Sequence, residues 1–275
     1  MHGSRTSISF GRVLAGATVA WGVLIGLVAL ARRANEALDL GEPWSIVSAG
    51  ILPAVVAAAA SLPMARLASG RPIAASDLGL QFASGRAMAI GLLGGIPLIV
   101  AYAIIFAGLG VSAEPRPWVG VWIVKFVVAQ GIAEEIIFRG FVFKCLRRGR
   151  SFLRASTLSA VIFSLVHLSN LMNGLTAEVI IGALISTVFA FVLTYPACLL
   201  FERSGVSGSV LPFALTHVLI DSINFFVHVG GPGPAMLIYL GATLVTALLI
   251  FLLARFLLPP AAWTKKPLAP PAEEG

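Results

Sequence analysis

The sequence is poor in charged residues and in cysteine. Only 11% of its 275 residues are charged and 58% are hydrophobic, whereas soluble domains carry roughly 25% charged residues. The two cysteines, Cys145 and Cys198, form no Cys-x-x-Cys pair, which argues against a disulfide framework and a zinc finger. The chain also has no glycine-rich phosphate loop and no His-Glu-x-x-His helix. The composition therefore favours an integral membrane protein.

Long apolar runs cover most of the chain. A helix needs about 20 apolar residues to cross the hydrocarbon core of a bilayer, and the runs lack the alternation of barrel strands. The first run is longer than the apolar core of a signal peptide, so we interpret it as a span. The sequence predicts an all-α, polytopic membrane protein with eight spans, at roughly 13–31, 44–65, 87–110, 118–143, 155–173, 179–201, 208–228 and 235–254.

The basic residues predict the orientation. Fourteen lysines and arginines fall in segments on the side of the N-terminus and three on the opposite side, while Lys125 and Arg139 lie inside a span. The positive-inside rule then places both termini in the cytoplasm of a multi-pass protein of the cell membrane. The basic side chains that give the net charge of +7 are therefore expected to face anionic lipid headgroups rather than nucleic acid. We expect one transmembrane domain at 1–258, with a motif core at 118–228, and a disordered, proline-rich tail at 259–275.

The fourth predicted span contains the segment AEEIIFRGF, which carries three charged residues. Charges inside a membrane cost several kcal/mol and normally pair or line a polar cavity. Glu135 and Arg139 are four residues apart with the acid first, which is the favourable order on a helix. We expect them to form a structural ion pair. Glu134 projects about 100° away from Glu135 and needs a partner from another helix.

Two other spans offer partners for Glu134. The fifth contains Phe163 and His167, four residues apart, and the seventh contains His217 and Asp221 at the same spacing, followed by Asn224 one turn later. A lone histidine is often only a hydrogen-bonded structural residue. However, Glu134, His167 and His217 lie about 15, 20 and 14 Å from the cytoplasmic ends of their spans. This common depth predicts one shared site, with Phe163 and Asn224 in supporting positions.

The three segments together resemble a known family. EEIIFR resembles the EExxxR motif of the CAAX prenyl protease and bacteriocin-processing (CPBP, or Abi) family, FSLVH resembles its FxxxH motif, and HVLID resembles its third motif, HxxxN or HxxxD. Their order and their placement on separate spans agree as well. The resemblance covers about 118–228 and is weaker near Asp77.

The resemblance implies an intramembrane endopeptidase with eight helices around a cavity open to the cytosol. Its substrates would be membrane-anchored proteins or peptides, such as CAAX-like tails. By resemblance, Glu134 and His167 activate a water molecule, and His217 and Asp221 complete the catalytic set. The family is usually described with Asn at the position of Asp221. Asn can donate a hydrogen bond to an oxyanion, whereas an ionised Asp cannot. Asp221 therefore stays protonated, orients His217 or binds a metal.

Two chemical routes remain open. Without a metal, Glu134 acts as the general base and protonated His217 stabilises the oxyanion. With a metal, His167, His217, Asp221 and Glu134 are the side chains that would bind Zn²⁺ from separate helices. We favour the route without a metal and predict no certain cofactor.

Three rival interpretations are weaker. The segment GVSG at 205–208 matches the GxSG of rhomboid proteases, but it leaves Glu134 and His167 unexplained, and a turn explains its glycines. A transporter or proton-coupled carrier would use the same buried Glu, His and Asp groups, and Lys125 would fit its path. Transporters commonly show repeated halves, which are not found here. A third alternative is a scaffold or immunity factor that uses the fold without catalysis.

Overall fold

The described part of the chain forms eight main helices in the order that the sequence predicts. The structure, a computed structural model, describes residues 9–70, 72–109, 117–205, 208–221 and 234–261, and these residues contain no β-strand. The all-α fold is therefore confirmed. The helices are α1 Phe10–Ala37, α2 Glu42–Ser69, α3 Gly85–Gly108, α4 119–147, α5 Phe152–Met172, α6 Ala177–Arg203, α7 Leu211–Asp221 and α8 Pro234–Leu257.

Six of these helices are long and apolar enough to cross a membrane, namely all except α4 and α7. Helix α4 is also long enough, but it carries Lys125, Glu134, Glu135 and Arg139 along one helix. Helix α7 is described only as far as Asp221, so the predicted end of its span at 228 lies outside the described residues. The chain is a polytopic membrane protein, and the number of eight full spans stays a prediction.

Helix α4 is the centre of the fold. Every residue from 135 to 146 is buried, and its phenylalanines and isoleucines join a core with α1, α2 and α5. A second core joins α3, α6, α7 and α8. Burial of its apolar side chains in the first core holds α4 in place and so fixes its charged residues.

A short segment before α3 fixes the start of α7. The backbone N–H of Val210 donates to the carbonyl of Gly79 at 3.2 Å, and the Ser209 hydroxyl donates to the carbonyl of Gln81 at 2.7 Å. The Gln81 amide in turn donates to the carbonyl of Gly208 at 2.7 Å. Gly208 adopts a left-handed φ of +88°, which glycine tolerates without strain. This glycine therefore acts in a turn, while the neighbouring Ser207 of the GVSG segment lies outside the described residues.

Small residues bring α7 close to its neighbours. A Cβ on Gly91 of α3 would lie 2.0 Å from the carbonyl oxygen of Pro212, and a Cβ on Gly131 of α4 would lie 2.7 Å from a methyl group of Val218. The hydroxyl of Thr216 also donates to the carbonyl of Gly91 at 2.7 Å. Such close contact is typical of helix pairs in membranes, where small residues allow the backbones to approach.

The helices differ from the predicted spans mainly at their ends. Helix α1 runs from Phe10 to Ala37 and so extends beyond 13–31 on both sides, because helical hydrogen bonding continues past the apolar stretch. Only 259–261 of the predicted tail are described, and Ala261 is buried there. The guanidinium of Arg203 donates to the carbonyls of Ala254, Arg255 and Leu258, which ties the end of α8 to the end of α6.

Candidate active site

Three buried groups from α4 and α7 form the centre of the site. The Nδ1–H of His217 donates to Oε1 of Glu135 at 2.9 Å. The same carboxylate oxygen lies 3.2 Å from Nη1 of Arg139. Glu135 and Arg139 are fully buried. One carboxylate oxygen therefore serves both as the counter-charge of the arginine and as the acceptor that fixes the ring of His217.

Two further carboxylates lie beside the other nitrogen of His217. Oε2 of Glu134 is 3.9 Å from Nε2, and Oδ2 of Asp221 is 3.7 Å from it. Both distances exceed that of a direct hydrogen bond. The side chains of Glu134 and Asp221 are 17% and 25% exposed, against 0% for Glu135. Nε2 of His217 thus faces two partly accessible carboxylates and is available to a bound substrate.

Helix α4 departs from regular α-helical winding on either side of the two adjacent glutamates. Residues Phe126–Ala133 and Ile136–Phe143 form π-helical turns on either side of them. A π-helical turn joins residues i and i+5, so it rotates less per residue than the 100° of an α-helix. Glu134 and Glu135 themselves keep α-helical backbone angles, with φ −63° and ψ −40° at the first and φ −65° and ψ −36° at the second. About 100° therefore still separates them, and they reach His217 at its two different ring nitrogens. Such π-bulges are frequent at functional sites.

His167 approaches the site from α5 without touching Glu134. Its Nδ1–H donates to the carbonyl oxygen of Phe163 at 3.0 Å, which leaves the lone pair on Nε2 in the neutral ring. The ring of Phe163 lies edge-on to both histidines, with centroids 4.8 Å from His167 and 6.4 Å from His217. Among the described residues, no hydrogen bond or ion pair joins His167 to Glu134. Phe163 thus borders both imidazole rings.

Aromatic rings enclose the buried arginine. The guanidinium carbon of Arg139 lies 4.4 Å from the ring centroid of Phe163 and 5.6 Å from that of Phe213. These distances permit cation–π attraction, which strengthens when the cation is desolvated. Phe213 also contacts His217, with ring centroids 6.2 Å apart. Arg139 is thus held by a carboxylate and two phenyl rings that also border the histidines.

Comparison with protein families identifies this part of the chain. Residues 116–223, which contain all three motifs, match the family described as Type II CAAX prenyl endopeptidase Rce1-like. The chain carries an Rce1-like domain. No curated protein and no solved structure matches the chain at a significant level. The predicted resemblance to the CAAX prenyl protease family is therefore confirmed for residues 116–223.

The Rce1-like domain includes every predicted catalytic side chain. Glu134, His167, His217 and Asp221 all lie within the matched residues. The structure brings Glu134, Asp221 and His217 together, along with Glu135. His167 packs against Phe163, whose ring also borders His217. Asn224, predicted as a supporting residue, lies outside the described residues. The match supports, at the level of the family, an intramembrane endopeptidase of the CAAX type.

The four side chains predicted as metal ligands do not form a metal site. Within the part of the chain that the structure describes, no group of three or more His, Cys, Asp or Glu side chains could hold a metal ion. His217 and His167 each engage Nδ1 and could offer only Nε2. Zn²⁺ needs three or four ligands at about 2.0–2.3 Å, which this arrangement does not supply.

Two tyrosines of the Rce1-like protein were not found by sequence reasoning. The hydroxyl of Tyr239, on α8, donates to the carbonyl of Ile220 at 2.9 Å, and the hydroxyl of Tyr102, on α3, donates to the carbonyl of Leu219. Both carbonyls belong to the last described turn of α7, one turn beyond His217. The tyrosines therefore fix the helix that carries His217 and Asp221. The sequence around these tyrosines gives no sign of this role, because each hydroxyl binds the backbone of a helix that is distant in the sequence.

Proposed function

We propose that the protein is an intramembrane endopeptidase that hydrolyses peptide bonds of membrane-associated, CAAX-like substrates with water activated by glutamate and histidine. The observation that carries the proposal is the arrangement around His217. Glu135 orients its Nδ1–H, and Glu134 lies beside its Nε2. A general base and an oriented imidazole within one small site are what peptide hydrolysis requires. The match to the Rce1-like family supports the same class of reaction.

The reaction proceeds by addition and elimination. Glu134 takes a proton from a water molecule whose lone pair attacks the carbonyl carbon of the substrate, and Nε2 of His167 accepts a hydrogen bond from that water. The C=O bond becomes a C–O⁻ single bond, and the Nε2–H of imidazolium His217 donates to this oxygen. Collapse of the intermediate breaks the C–N bond, and the proton on Glu134 passes to the leaving amine. One water molecule is consumed, and the enzyme returns to its starting state.

Both termini lie in the cytoplasm under this proposal, because the basic residues lie on that side of the membrane. Cleavage then acts on a tail presented at the inner leaflet, and membrane lipid is the immediate environment of the enzyme. No nucleic acid takes part. The orientation can be tested by cysteine labelling from either side of sealed vesicles, with single cysteines introduced into the loops of a variant in which the native cysteines have been replaced.

The main experiment measures cleavage by the full-length protein in proteoliposomes. The substrates are a library of quenched fluorescent peptides, with and without a prenylated cysteine near the C-terminus. We expect Glu134→Gln and His167→Ala each to lower kcat by about 10²–10⁴, the usual contribution of general acid–base catalysis. Glu178→Gln is the matched control, since Glu178 is exposed at the start of α6. Unchanged cleavage by Glu134→Gln contradicts the proposal, and Glu134-dependent flux of a solute without cleavage establishes the transporter alternative.

The same preparation tests whether the reaction needs a metal ion. The donor geometry leads us to expect substoichiometric metal in the purified protein and unchanged cleavage after treatment with a zinc chelator. The measurements are elemental analysis and the cleavage rate before and after chelation, with a known zinc peptidase treated in parallel. Loss of cleavage that is restored by added Zn²⁺ alone contradicts the route without a metal.

A further inference from the structure

The segment Asp77–Gln81 precedes α3 and takes no part in the proposed reaction. It contains the letters DLGL, where the resemblance described above is weaker. Its second half is bound to the start of α7, because Gly79 and Gln81 form hydrogen bonds with residues 208–210. The segment can fix the position of α7 only if its own first half is held elsewhere.

A buried lysine at the end of α4 holds the first half of the segment. Nζ of Lys144 donates to the backbone carbonyl of Asp77 and lies 3.7 Å from Oδ1 of its carboxylate. The other carboxylate oxygen, Oδ2, accepts the backbone N–H of Ala74 at 3.1 Å and so holds the short 3₁₀ helix at Ala75–Leu78. The lysine side chain is 4% exposed, and a buried charge is tolerated only where such partners surround it. Asp77 therefore joins this segment to α4.

The backbone of the segment also touches α4 directly. A Cβ on Gly140 would lie 2.1 Å from the carbonyl oxygen of Leu78, so only glycine permits this approach. Gly140 is four residues before Lys144, which places the two contacts about one helical turn apart. The side chain of Leu78 is buried in the core that contains α4, and Val210 lies in the same core. The segment is therefore packed between the end of α4 and the start of α7.

The two helices joined by this segment carry different parts of the candidate site, the two glutamates on α4 and His217 on α7. Apolar residues of α4 join the first core, whereas those of α7 join the second. Lys144 is nine residues after Glu135, and His217 is seven residues after Val210, which corresponds to about 14 and 11 Å along the helices. Because helices are stiff over such lengths, the junction between their ends determines which part of α7 faces the glutamates.

We propose that Asp77 and Lys144 are positioning residues, whose contact fixes this segment to α4 and thereby sets the position of His217 against the two glutamates. This inference rests on the proposed function of the site. Asp77 and Lys144 do not touch the substrate. They act through His217, whose Nδ1–H must reach Glu135 and whose Nε2 must face Glu134. A displacement of about 1 Å at a reacting group can cost about a hundredfold in rate.

A double-mutant cycle in proteoliposomes tests this link. The proteins are the wild type, Lys144→Met, Asp77→Asn and the combination of both, and each is assayed for kcat, KM and thermal unfolding. We expect Lys144→Met to lower kcat about tenfold or more with little change in KM, because the reacting groups are displaced while the contacts that bind the substrate stay. The combined variant should lose little more than Lys144→Met alone, since residues in contact combine non-additively. Lys144→Arg keeps the charge and the donors, so it should retain most of the activity.

Arg147→Met is the matched control. Arg147 is three residues further along α4, and its Nε lies 2.7 Å from Oε2 of Glu202. This pair joins α4 to α6, which carries none of the proposed catalytic residues. We expect Arg147→Met to lower the temperature of unfolding but to leave kcat within about twofold of the wild type, as for sites that act independently.

Three results would overturn the proposal. The first is additive effects of Lys144→Met and Asp77→Asn on kcat, and the second is an equal loss of kcat in Arg147→Met. The third applies if Lys144→Met does not fold. Asp77→Asn then decides, because it changes a carboxylate that is 34% exposed and should still lower kcat without changing KM. Wild-type kcat in that variant contradicts the positioning role.

Nuclear magnetic resonance gives a readout that does not depend on cleavage. In protein labelled with ¹⁵N-histidine, the Nδ1–H proton of His217 should give a downfield resonance because of its hydrogen bond to Glu135, and the loss of this resonance in His217→Gln assigns it. The resonance should shift or weaken in Lys144→Met and Asp77→Asn, and it should stay unchanged in Arg147→Met. An unchanged resonance in Lys144→Met overturns the proposal even if cleavage falls. If the wild type cleaves no peptide but the resonance responds as expected, the proposed function fails while the positioning by Asp77 and Lys144 stands.

Discussion

Replacing Glu135 and Arg139 together separates the two roles of the Glu135 carboxylate. Glu135→Leu alone leaves Arg139 fully buried without its counter-charge and removes the acceptor of His217 Nδ1–H. Removing one partner of a buried ion pair destabilises a protein by about 3–5 kcal/mol. We therefore expect Glu135→Leu to give a large loss of thermal stability together with loss of cleavage.

The double substitution Glu135→Leu/Arg139→Met removes both charges. Replacing a buried ion pair with apolar side chains of similar size is often neutral or stabilising by about 1–4 kcal/mol, and Arg139 already lies between Phe163 and Phe213. Stability should therefore return. Cleavage should not return, because His217 still lacks the acceptor that holds its ring.

A second pair, Glu135→Gln/Arg139→Met, is the matched control. The amide oxygen of glutamine can accept the hydrogen bond from Nδ1 of His217, so this variant also lacks the ion pair but keeps the acceptor. We expect it to cleave peptides at least about tenfold faster than Glu135→Leu/Arg139→Met. That ratio corresponds to about 1.4 kcal/mol, within the range for one hydrogen bond to a charged or polarised group.

The assay combines thermal unfolding in detergent with kcat measured in proteoliposomes for the same preparations. Thermal stability should recover in both double variants. Cleavage should recover only in Glu135→Gln/Arg139→Met. If Glu135→Leu/Arg139→Met regains wild-type cleavage together with stability, Glu135 serves only as a counter-ion. The argument that it orients His217 would then be wrong.

The remaining predictions concern the helix that carries His217. Tyr239→Phe removes one hydrogen bond to the last described turn of α7, so unfolding should cost about 1 kcal/mol less and kcat should fall. Tyr195→Phe, which loses a bond between α5 and α6, should lower stability without lowering kcat. Gly91→Ala would place a Cβ 2.0 Å from the carbonyl of Pro212 and should destabilise the protein by more than about 1 kcal/mol, whereas Gly26→Ala, with nothing within 4 Å, should unfold at or above the wild-type temperature. A Gly91→Ala protein as stable and active as the wild type would contradict the close packing described above.

The helices and the membership of the family could be predicted from the sequence, because both depend on local patterns. Runs of about 20 apolar residues report spans directly, and EEIIFR, FSLVH and HVLID lie at helical spacing on separate runs. The similar depth of Glu134 and His217 in their spans also predicted that the two residues are close. Oε2 of Glu134 lies 3.9 Å from Nε2 of His217. The spacing of Glu135 and Arg139 predicted a pair, and the two are in contact.

The contacts between helices could not be predicted, because they depend on how one helix is rotated against another. Sequence spacing assigned Glu135 to Arg139 alone, yet the same oxygen also accepts the hydrogen bond of His217. Glu134 and Glu135 keep the α-helical separation of about 100°, yet both approach the same imidazole, at its two different nitrogens. The contact of Phe163 with His217 likewise depends on how α5 faces α7.

Glycines at the contacts between helices determine how accurately the side chains of this site are placed. In a membrane, helices gain little by burying apolar surface against one another, so close packing of small residues decides how they associate. Gly91 and Gly131 let α7 lie against α3 and α4 at backbone contact distance, and His217 sits between those two contacts along α7. A shift of about 1 Å would break the 2.9 Å bond to Glu135 and can cost about a hundredfold in rate. The charged motif therefore identifies the chemistry, while uncharged glycines outside the three motifs determine whether that chemistry has the geometry it needs.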